Sequence, residues 1–424
     1  MKILMSCYEC SPVRGSESGV GWNWVRETRR LGHEVWALAA PTYADEIMQG
    51  CRSDQLAASV NWIFPQSPFW RLEPGEKPKA ERRHNLLWQI AALKAARDLH
   101  QSVQFDAIHH VTWGGIRYPS FLGRLDAPFI LGPVGGGETS PPQLRDSFTR
   151  RNLWTERLRD VSNRTLAFNP LVRRMLEEAA VIVAKTEETR ELVPSRMRSK
   201  TAVFLELGVS PDRIESPRTF NQRPPRLLFV GRLLYWKGAH LALAALGALR
   251  ETSPLARLTI VGRGPEEPAL RAQAERSGLA DATDFVPWMP QAELFELYRE
   301  HDLFVFPSLH DSSGNVVLEA LCHGLPVVCL DLGGPKEIVT ETSGVVVATT
   351  GLGTDETARA LAAAISNVLA EPATLQALSL GALARARAFS WPDRVARFFE
   401  MVSPFLDEAR RAKGSSNLIR LNSL

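Results

Sequence analysis

Several features that would place the chain in a simple class are missing from the sequence. It contains no D-x-D motif, no apolar run of membrane-spanning length, no low-complexity segment and no convincing repeat. Because a D-x-D pair often holds a divalent cation, its absence leads us to predict no metal site. We also predict no resident cofactor. The first apolar run, KILMSC at 2–7, is too short for a signal peptide, so we expect a cytoplasmic protein.

Charge of one sign and cysteine are also scarce. The 50 Lys and Arg residues nearly balance the 47 Asp and Glu residues, and a net charge of +3 predicts no nucleic-acid partner. The positive excess lies in residues 1–220. The 5 cysteines are odd in number and irregularly spaced, which favours a reducing compartment over a disulfide framework. Cys7 and Cys10 form a C-x-x-C without a second ligand pair, so redox or zinc chemistry there is disfavoured.

What the sequence does contain is a long alternation of apolar β-rich runs with helical patterns. A chain of 424 residues that is 45% hydrophobic exceeds one ordinary core, so we predict two domains. The alternation is typical of parallel sheets buried on both faces. The predicted strands lie at 2–7, 33–40, 60–65, 105–112, 128–135 and 180–186, and then at 226–232, 257–264, 284–289, 302–308, 326–334 and 344–349.

The predicted fold class is therefore α/β, with two doubly wound, Rossmann-like domains facing each other across a cleft. A polar stretch at 211–225 carries four prolines and is predicted as the linker. The first domain is predicted at 1–210 and the second at 226–390. Residues 391–412 are predicted to form a C-terminal helix that returns to the first domain, with a frayed tail at 413–424.

The stretch HDSSGNVVLEAL, at 310–321, places a new helix end directly after a predicted strand. Backbone amides near Gly314, Asn315 and Val316 would carry the positive end of the helix dipole. Such a helix start is suited to an anionic phosphate group.

Two carboxylates flank that helix start. Glu319 lies one turn further on, where it can accept two hydrogen bonds from a vicinal diol. Asp311, before the turn, would face a sugar attached beyond the phosphates. The alternative is that Asp311 and Ser312 only cap the helix, while the negative charge of Glu319 only stabilises the N-terminal half of the same helix.

Two cations are predicted at the same place. Arg232 and Lys237, in FVGRLLYWKG at 229–238, follow a strand end and flank a turn, so both can converge on one anionic ligand. As a random pair they would more often be solvated. Together, the cations, the helix amides and a diol acceptor describe a binding site for a nucleoside diphosphate.

These motifs resemble the donor domain of retaining GT-B glycosyltransferases of family 4, the group 1 glycosyl transferases. The similar stretches are PSLHDSSGNVVLEALCHGLPVVCLDLGG (307–334), VGRLLYWKG (230–238) and VGRGPE (261–266), with RGSESGVGWNWVRETRRLGHEV (14–35) and LELGVSPDRI (205–214) in the first half. The likeness spans nearly all of the chain. It implies sugar transfer from a UDP- or GDP-sugar co-substrate with retention, and therefore no catalytic nucleophile.

The resemblance also implies roles for individual residues. Arg232 and Lys237 would bind the donor diphosphate, Glu319 the ribose and Asp311 the donor sugar. The implied catalytic residues are His110, Arg232, Lys237, Asp311 and Glu319, and the implied donor-binding residues are Gly15, Ser16, Gly231, Arg232, Lys237, Gly264, Gly314, Asn315, Val316 and Glu319. Asp311 stands where the family usually has Glu, and Ser313, Asn315 and Arg263 are further departures, which leave the sugar and the base open.

The first domain offers a glycine-rich turn and a histidine pair. Gly15, Gly19 and Gly21 surround a strand-to-helix turn, which can approach a ligand closely or can serve helix packing alone. His109 and His110 end a strand and must point to opposite faces. We predict that His110 is the one beside the donor sugar, as the resemblance implies, and that the other is a core histidine.

Two basic segments of the sequence bear on the acceptor. Residues 143–174 contain eight arginines and three acids, and a second basic and aromatic patch runs from Trp70 to Trp88 through Lys77, Lys79, Arg82 and Arg83. Such segments can lie on an anionic bilayer, so we predict peripheral association with the inner membrane and a glycan or polyprenyl-linked acceptor. The alternative is a solvated helical face.

The predicted function is therefore sugar transfer in surface polysaccharide or exopolysaccharide synthesis. A non-catalytic nucleotide-sugar or glycan binding protein is the first alternative, and only turnover distinguishes the two. A nicotinamide-dependent oxidoreductase is disfavoured, because the G-x-G-x-x-G fingerprint and its ribose-binding acid are missing.

Overall fold

The computed structural model of the chain describes residues 1–67, 78–220 and 223–421. Parts of three predictions lie outside the described residues: Trp70 and Lys77 of the second basic patch, residues 221–222 of the linker, and the last three residues of the tail.

The chain divides into two compact units. The first unit comprises Met1–Gly137, Asn163–Gly208 and Trp391–Leu424, and the second comprises Glu138–Ser162 and Val209–Ser390. Residues Glu138–Ser162 come from the first half of the sequence, yet they pack within the second unit.

The strands within the described ranges are short and largely buried. In chain order they are β1 (Lys2–Ser6), β2 (Glu34–Leu38), β3 (Asn61–Ile63), β4 (Ala107–His110), β5 (Phe129–Val134), β6 (Val181–Ala184), β7 (Thr201–Val203), β8 (Arg226–Val230), β9 (Arg257–Val261), β10 (Thr283–Val286), β11 (Leu303–Phe306), β12 (Val327–Leu330) and β13 (Gly344–Val347).

Helices alternate with these strands. Over the same ranges they are α1 (Ser16–Arg30), α2 (Ala44–Ser53), α3 (Gln55–Ala58), α4 (Pro78–Val103), α5 (Arg150–Arg164), α6 (Pro170–Glu178), α7 (Glu187–Leu192), α8 (Ala239–Leu249), α9 (Glu267–Arg276), α10 (Gln291–Glu300), α11 (Asn315–Cys322), α12 (Gly333–Ile338), α13 (Thr354–Leu369), α14 (Pro372–Arg387) and α15 (Trp391–Leu421). None of the described helices is both long and apolar enough to cross a bilayer.

Each unit contains one parallel sheet. The order in the first is β3-β2-β1-β4-β5-β6-β7, and the order in the second is β10-β9-β8-β11-β12-β13. Every residue of β4 and of β11 is buried, as expected for strands covered on both faces. The strand order reverses between β1 and β4 in the first sheet and between β8 and β11 in the second, and ligands in such folds bind outside the carboxyl ends of the strands at that point.

The predicted fold class of two doubly wound α/β domains is confirmed. Eleven of the twelve predicted apolar runs contain a whole strand, and the run at 284–289 covers three of the four residues of β10. The runs extended past the true strand ends because the apolar residues that follow a strand begin the buried loops. Strand β7 was missed, since its three residues, TAV, are too few to show a period.

Candidate functional site

Most of the residues predicted from the second half of the sequence lie on two loops. These loops are at the switch point of the second sheet, which is the place where its strand order reverses. The first loop follows β8 and runs from Gly231 to Gly238, and the second follows β11 and runs from Pro307 to Gly314. Because β8 and β11 are neighbouring parallel strands, both loops leave the same edge of the sheet. The fold thus brings two distant segments of sequence to one place.

Glycines allow the backbone to pack closely around these loops. Gly238 has φ of +78°, and a Cβ there would collide with the carbonyl oxygen of Pro307. A Cβ at Gly264 would similarly collide with the carbonyl oxygen of Leu233. Only glycine permits such close contacts. Gly238 and Gly264 therefore allow the loops after β8, β9 and β11 to pack against one another.

Lys237 and Asp311 meet directly. The Lys237 Nζ donates to Oδ2 of Asp311, and the same ammonium lies 5.5 Å from the centroid of the Phe306 ring. Both side chains are largely buried, with 20% and 16% of their surfaces exposed. A cation and an acid predicted to serve one ligand therefore belong to one cluster.

The ionised form of Asp311 is favoured by its surroundings. Burial would raise the pKa of this carboxyl, but Lys237 and the backbone amides of Ser313 and Gly314 outweigh burial and lower it. The Ser313 amide donates to Oδ1 of Asp311 at 3.3 Å. Ser313 precedes Gly314, the N-cap residue of α11, and no side chain among the described residues caps this helix. Asp311 therefore orders the loop before the helix and binds Lys237, rather than capping the helix as the alternative interpretation required.

Helix α11 begins at Asn315, directly after the loop. Gly314 precedes it with φ of +83°, and the amides of the first turn carry the positive end of the helix dipole. Gly314, Asn315 and Val316 thus occupy the helix start that the sequence predicted.

Glu319 lies one turn into α11, and two residues fix its carboxylate. The Tyr298 hydroxyl donates to Oε2 at 3.3 Å, and the Gln291 amide donates to Oε1 at 3.2 Å. Burial raises the pKa of Glu319, while these two donors oppose the shift. Tyr298 and Gln291 belong to α10. Neither contact could be predicted, because helical spacing does not reveal which helix packs beside α11.

Arg232 and Gly231 occupy the start of the loop after β8. Gly231 donates its amide to the carbonyl oxygen of Val261 at 3.0 Å, which ties this loop to the end of β9. The Arg232 side chain is exposed. It therefore shares a loop with Lys237, but it takes no part in the Lys237–Asp311 pair.

A buried glutamate behind these loops was missed by the sequence analysis. Glu156, in α5, is fully buried and accepts hydrogen bonds from the Tyr235 hydroxyl at 2.8 Å and from His310 Nε2 at 3.2 Å. The Ser140 amide donates to its other oxygen at 3.1 Å. Tyr235 begins the turn that carries Lys237, and His310 immediately precedes Asp311, so one carboxylate braces both loops.

The charge of Glu156 is stabilised by these donors. Burial opposes the charged form, but His310, Tyr235 and the Ser140 amide outweigh it and lower the pKa of Glu156 to about 2. Burial also lowers the pKa of His310, so its neutral imidazole can donate from Nε2. Residues 143–174 looked like a charged surface segment in the sequence, and a lone Glu among eight arginines gave no sign of burial.

The first unit carries the remaining predicted residues on the loops that follow β1 and β4. Ser16 opens α1 with φ of +57°, an uncommon conformation for a residue with a side chain. A Cβ at the preceding Gly15 would meet nothing within 4 Å. At Gly21, by contrast, a Cβ would collide with the carbonyl oxygen of Glu9, which is the packing role foreseen as the alternative.

The two histidines of β4 differ in their surroundings. His109 Nε2 lies 2.8 Å from the carbonyl oxygen of Gly132, and its ring stacks on Phe398 with centroids 4.9 Å apart. His110 pairs in register with Ser6 at the carboxyl end of β1. Burial lowers the pKa of His110 to about 4, so its imidazole is neutral near pH 7.

Glu9 is another residue without a sequence signal. It follows β1, its amide donates to Thr112 Oγ1 at 3.1 Å, and its carboxylate accepts from Ser18 Oγ at 3.1 Å. Burial, together with the carboxylates of Glu17 and Glu81, raises the pKa of Glu9 to about 7. The loops after β1 and β4 therefore hold a carboxyl group that titrates near neutral pH.

Sequence comparisons identify similar proteins. A family model described as Glycosyl transferases group 1 matches residues 212–384. The glycogen synthase of Mycobacterium tuberculosis is 38% identical over 177 residues, which is 41% of this chain and 41% of that protein, so the match spans less than half of the relative. The D-inositol 3-phosphate glycosyltransferase of Saccharomonospora viridis is 31% identical over 350 residues, which is 77% of this chain and 75% of that protein.

Solved structures share the fold over nearly the full length. Sucrose-phosphate synthase from Thermosynechococcus elongatus is 17% identical, with a TM-score of 0.62 over 96% of this chain and 99% of that one. HepE from Anabaena, in complex with UDP, is 18% identical, with a TM-score of 0.59 over 95% of this chain and 100% of that one. At these identities the likeness concerns the fold alone.

Proposed function

Because the chain belongs to the family described as Glycosyl transferases group 1, we propose that it transfers a sugar from a nucleoside-diphosphate donor to a glycan or lipid-linked glycan acceptor. Family membership supports the transferase class. The donor, the acceptor and the stereochemical outcome are proposals that depend on the residues of the site.

One observation carries the proposal: Lys237, Asp311 and the start of α11 lie together at the switch point of the second sheet, with Glu319 one turn further on. A cation and a helix start suit a diphosphate, and a carboxylate suits the two hydroxyls of a ribose. The separation of one helical turn between them fits a nucleoside diphosphate better than a phosphate or a sugar alone.

The same groups supply what the reaction needs. When the bond between sugar and diphosphate breaks, negative charge grows on the leaving diphosphate. Fixed donors aimed at that charge lower the barrier without reorganising. We assign this role to the α11 amides, Lys237 and the exposed Arg232, and we assign the donor sugar to Asp311. A metal ion and a protein nucleophile have no assigned part in this scheme.

We also propose that the chain belongs to family 4 of the glycosyltransferases. Membership in that family implies that the sugar is transferred with retention of its configuration. We infer that the donor is a UDP- or GDP-sugar and that the transferred group is a hexose. The structure of HepE in complex with UDP and glucose supports the choice of a uridine nucleotide as the first ligand to test. His110, Gly15 and Ser16 remain proposed contacts of the sugar and the phosphates in the first unit, with Gly231 and Gly264 in the second.

For the acceptor, we propose a polyprenyl-linked glycan used in surface polysaccharide or exopolysaccharide synthesis, reached from the cytoplasmic side of the inner membrane. The arginine-rich character of residues 143–174 supports this proposal.

The test uses the purified protein with UDP-, GDP- and ADP-sugars. Thermal unfolding in the presence of each nucleotide sugar identifies the donor that binds, and release of the nucleoside diphosphate then reports turnover. We expect the nucleotide sugars of only one base to raise the unfolding temperature and to release the nucleoside diphosphate. Stabilisation without release over many hours would instead identify a nucleotide-sugar binding protein.

A further inference from the structure

The outer face of α5 is apolar where most of that helix is polar. Trp154, Leu158 and Val161 expose 62%, 66% and 53% of their surfaces. Residues spaced by four and three positions lie on one stripe of an α-helix, so the three side chains share a face. Single exposed apolar residues are ordinary, but three on one stripe mark an interaction surface.

The charges of α5 are sorted between its two faces. Arg150, Arg151 and Arg157 are exposed, and the Arg157 guanidinium lies 5.5 Å from the centroid of the Trp154 ring. At roughly 100° per residue, these arginines border the apolar stripe on both sides. The two acids of the helix, Glu156 and Asp160, lie on other faces, so the exposed stripe is flanked by positive charge alone.

Both acids have partners inside the second unit. Glu156 accepts from Tyr235 and His310, and Asp160 accepts from Arg145 Nη1 at 2.7 Å. These bonds fix the orientation of the helix about its axis. The apolar stripe therefore points outward because the inner face of the same helix is bonded to the loops of the donor site.

We propose that this outer face of α5, defined by Trp154, Leu158 and Val161 with Arg150, Arg151 and Arg157, docks on the surface of an anionic lipid bilayer. An anionic partner is favoured because the exposed face of α5 carries arginines, while both acids of the helix lie on other faces. Arginines near an anionic surface bind the lipid headgroups, while Trp and Leu enter the boundary between headgroups and acyl chains. A second copy of this chain would present the same positive charge and repel it.

The inference deepens the proposed function, because it names the surface by which the protein would reach a lipid-linked acceptor. It also connects the bilayer to the donor site through one rigid element. The side chain of Trp154 faces outward, and Glu156, two positions later, holds the Tyr235 turn and His310.

The experiment is flotation of the full chain with vesicles of phosphatidylcholine containing about one third phosphatidylglycerol, and with vesicles of phosphatidylcholine alone. We expect flotation only with the anionic vesicles, and we expect added salt to weaken it. The double variant Trp154→Ser/Leu158→Ser should partition at least about tenfold less. Leu255→Ser is the matched control, since Leu255 is 69% exposed in the turn before β9 and should float like the wild type.

A second variant separates the contribution of charge. Replacement of Arg150, Arg151 and Arg157 by Gln should weaken flotation by about fivefold per arginine and should flatten its dependence on salt. Circular dichroism should report an unchanged fold for each variant, because every altered side chain is exposed.

Three outcomes would overturn the proposal. The first is no flotation with anionic vesicles, and the second is equal flotation of the wild type and the double variant. The third is a lower solution mass of the double variant without vesicles, which would make the stripe a contact between copies of the chain. The flotation assay contains no nucleotide sugar, so a negative result would not affect the proposed donor site. Conversely, absence of turnover in the separate assay with nucleotide sugars would not affect the proposed docking surface.

Discussion

Lys237 donates directly to the carboxylate of Asp311, although 74 positions of sequence separate them. Each residue follows a different strand, and the parallel pairing of β8 with β11 brings them together. The positive charge of Lys237 is thus already compensated within the protein. A diphosphate that binds beside it would meet an oriented ammonium group rather than a freely rotating one, which is the condition for stabilising a leaving group.

Lys237→Ala is expected to reduce sugar transfer on the order of 10²-fold while the protein stays folded. The pKa of Asp311 should also rise, because its main favourable partner is lost. An aspartate with a lowered pKa stabilises the fold above its ordinary pKa, and the stabilisation is lost as the pH falls. In the variant, the difference between the ordinary pKa and the folded-state pKa of Asp311 shrinks, so the unfolding temperature should fall less between pH 7 and pH 3 than it does in the wild type.

Transfer rates at pH 7 and thermal unfolding between pH 3 and pH 7 check this prediction. Lys94→Ala is the control, since Lys94 is an exposed lysine on α4. Transfer by Lys237→Ala within a few-fold of the wild type would show that this ammonium does not serve the leaving group.

Tyr298→Phe and Gln291→Ala are expected to raise the KM for the donor by about fivefold each, with a smaller change in kcat. Each substitution removes one hydrogen bond to Glu319, worth about 1 kcal/mol, from a contact proposed to bind the ribose equally throughout the reaction. Steady-state kinetics with varied donor concentration measure the effect. Glu293→Ala, which alters another exposed residue of α10, should leave the KM unchanged, and a rise as large as that of Gln291→Ala would point to a nonspecific effect on the helix.

Glu156→Gln is expected to destabilise the protein by about 1–3 kcal/mol at pH 7, because a buried acceptor for three donors loses its charge. The pKa of Glu156 is lowered to about 2, so its stabilising effect is fully present above about pH 4.5 and is lost as the pH falls towards 2. Urea unfolding at pH 7 and near pH 3 should therefore give a smaller difference between wild type and variant at the lower pH. A difference that does not change with pH would mean that the network depends on shape rather than on charge.

Gly238→Ala should destabilise the second unit more than Gly278→Ala does. Both glycines have positive φ, but a Cβ at Gly278 would meet nothing within 4 Å, whereas one at Gly238 would collide with Pro307. Both substitutions carry the same conformational cost of about 1 kcal/mol. Any additional loss of unfolding free energy in Gly238→Ala therefore measures the contact between the two loops. Urea unfolding of the two variants gives the comparison, and equal losses would contradict the close approach that positions Lys237.

The alternation of apolar runs and helical patterns was enough to predict both sheets, because buried parallel strands and their covering helices leave strong periods. It was also enough to place Lys237 and Asp311 on neighbouring loops, with Glu319 in the helix that follows, since the carboxyl ends of parallel strands share an edge. Strand ends were less well predicted, and β7 was missed.

Packing between segments distant in sequence could not be predicted. Glu156 lies in a stretch that is rich in arginine, and nothing in its local pattern indicates that it braces Tyr235 and His310. Tyr298 gives no sign of its bond to Glu319 for the same reason. These contacts depend on the three-dimensional course of residues 138–162 and of α10, which periodicity does not encode.

Calorimetric titration of nucleoside diphosphates and of inorganic pyrophosphate into the wild type, Lys237→Ala and Glu319→Ala tests the central claim most directly. The two ligands share a diphosphate, but only the nucleotide has a ribose. We predict that Lys237→Ala weakens both by about tenfold, and that Glu319→Ala weakens UDP or GDP by about tenfold and leaves pyrophosphate unchanged. Wild-type affinity of both variants for the nucleotide would contradict a donor site built from Lys237, Asp311, the start of α11 and Glu319.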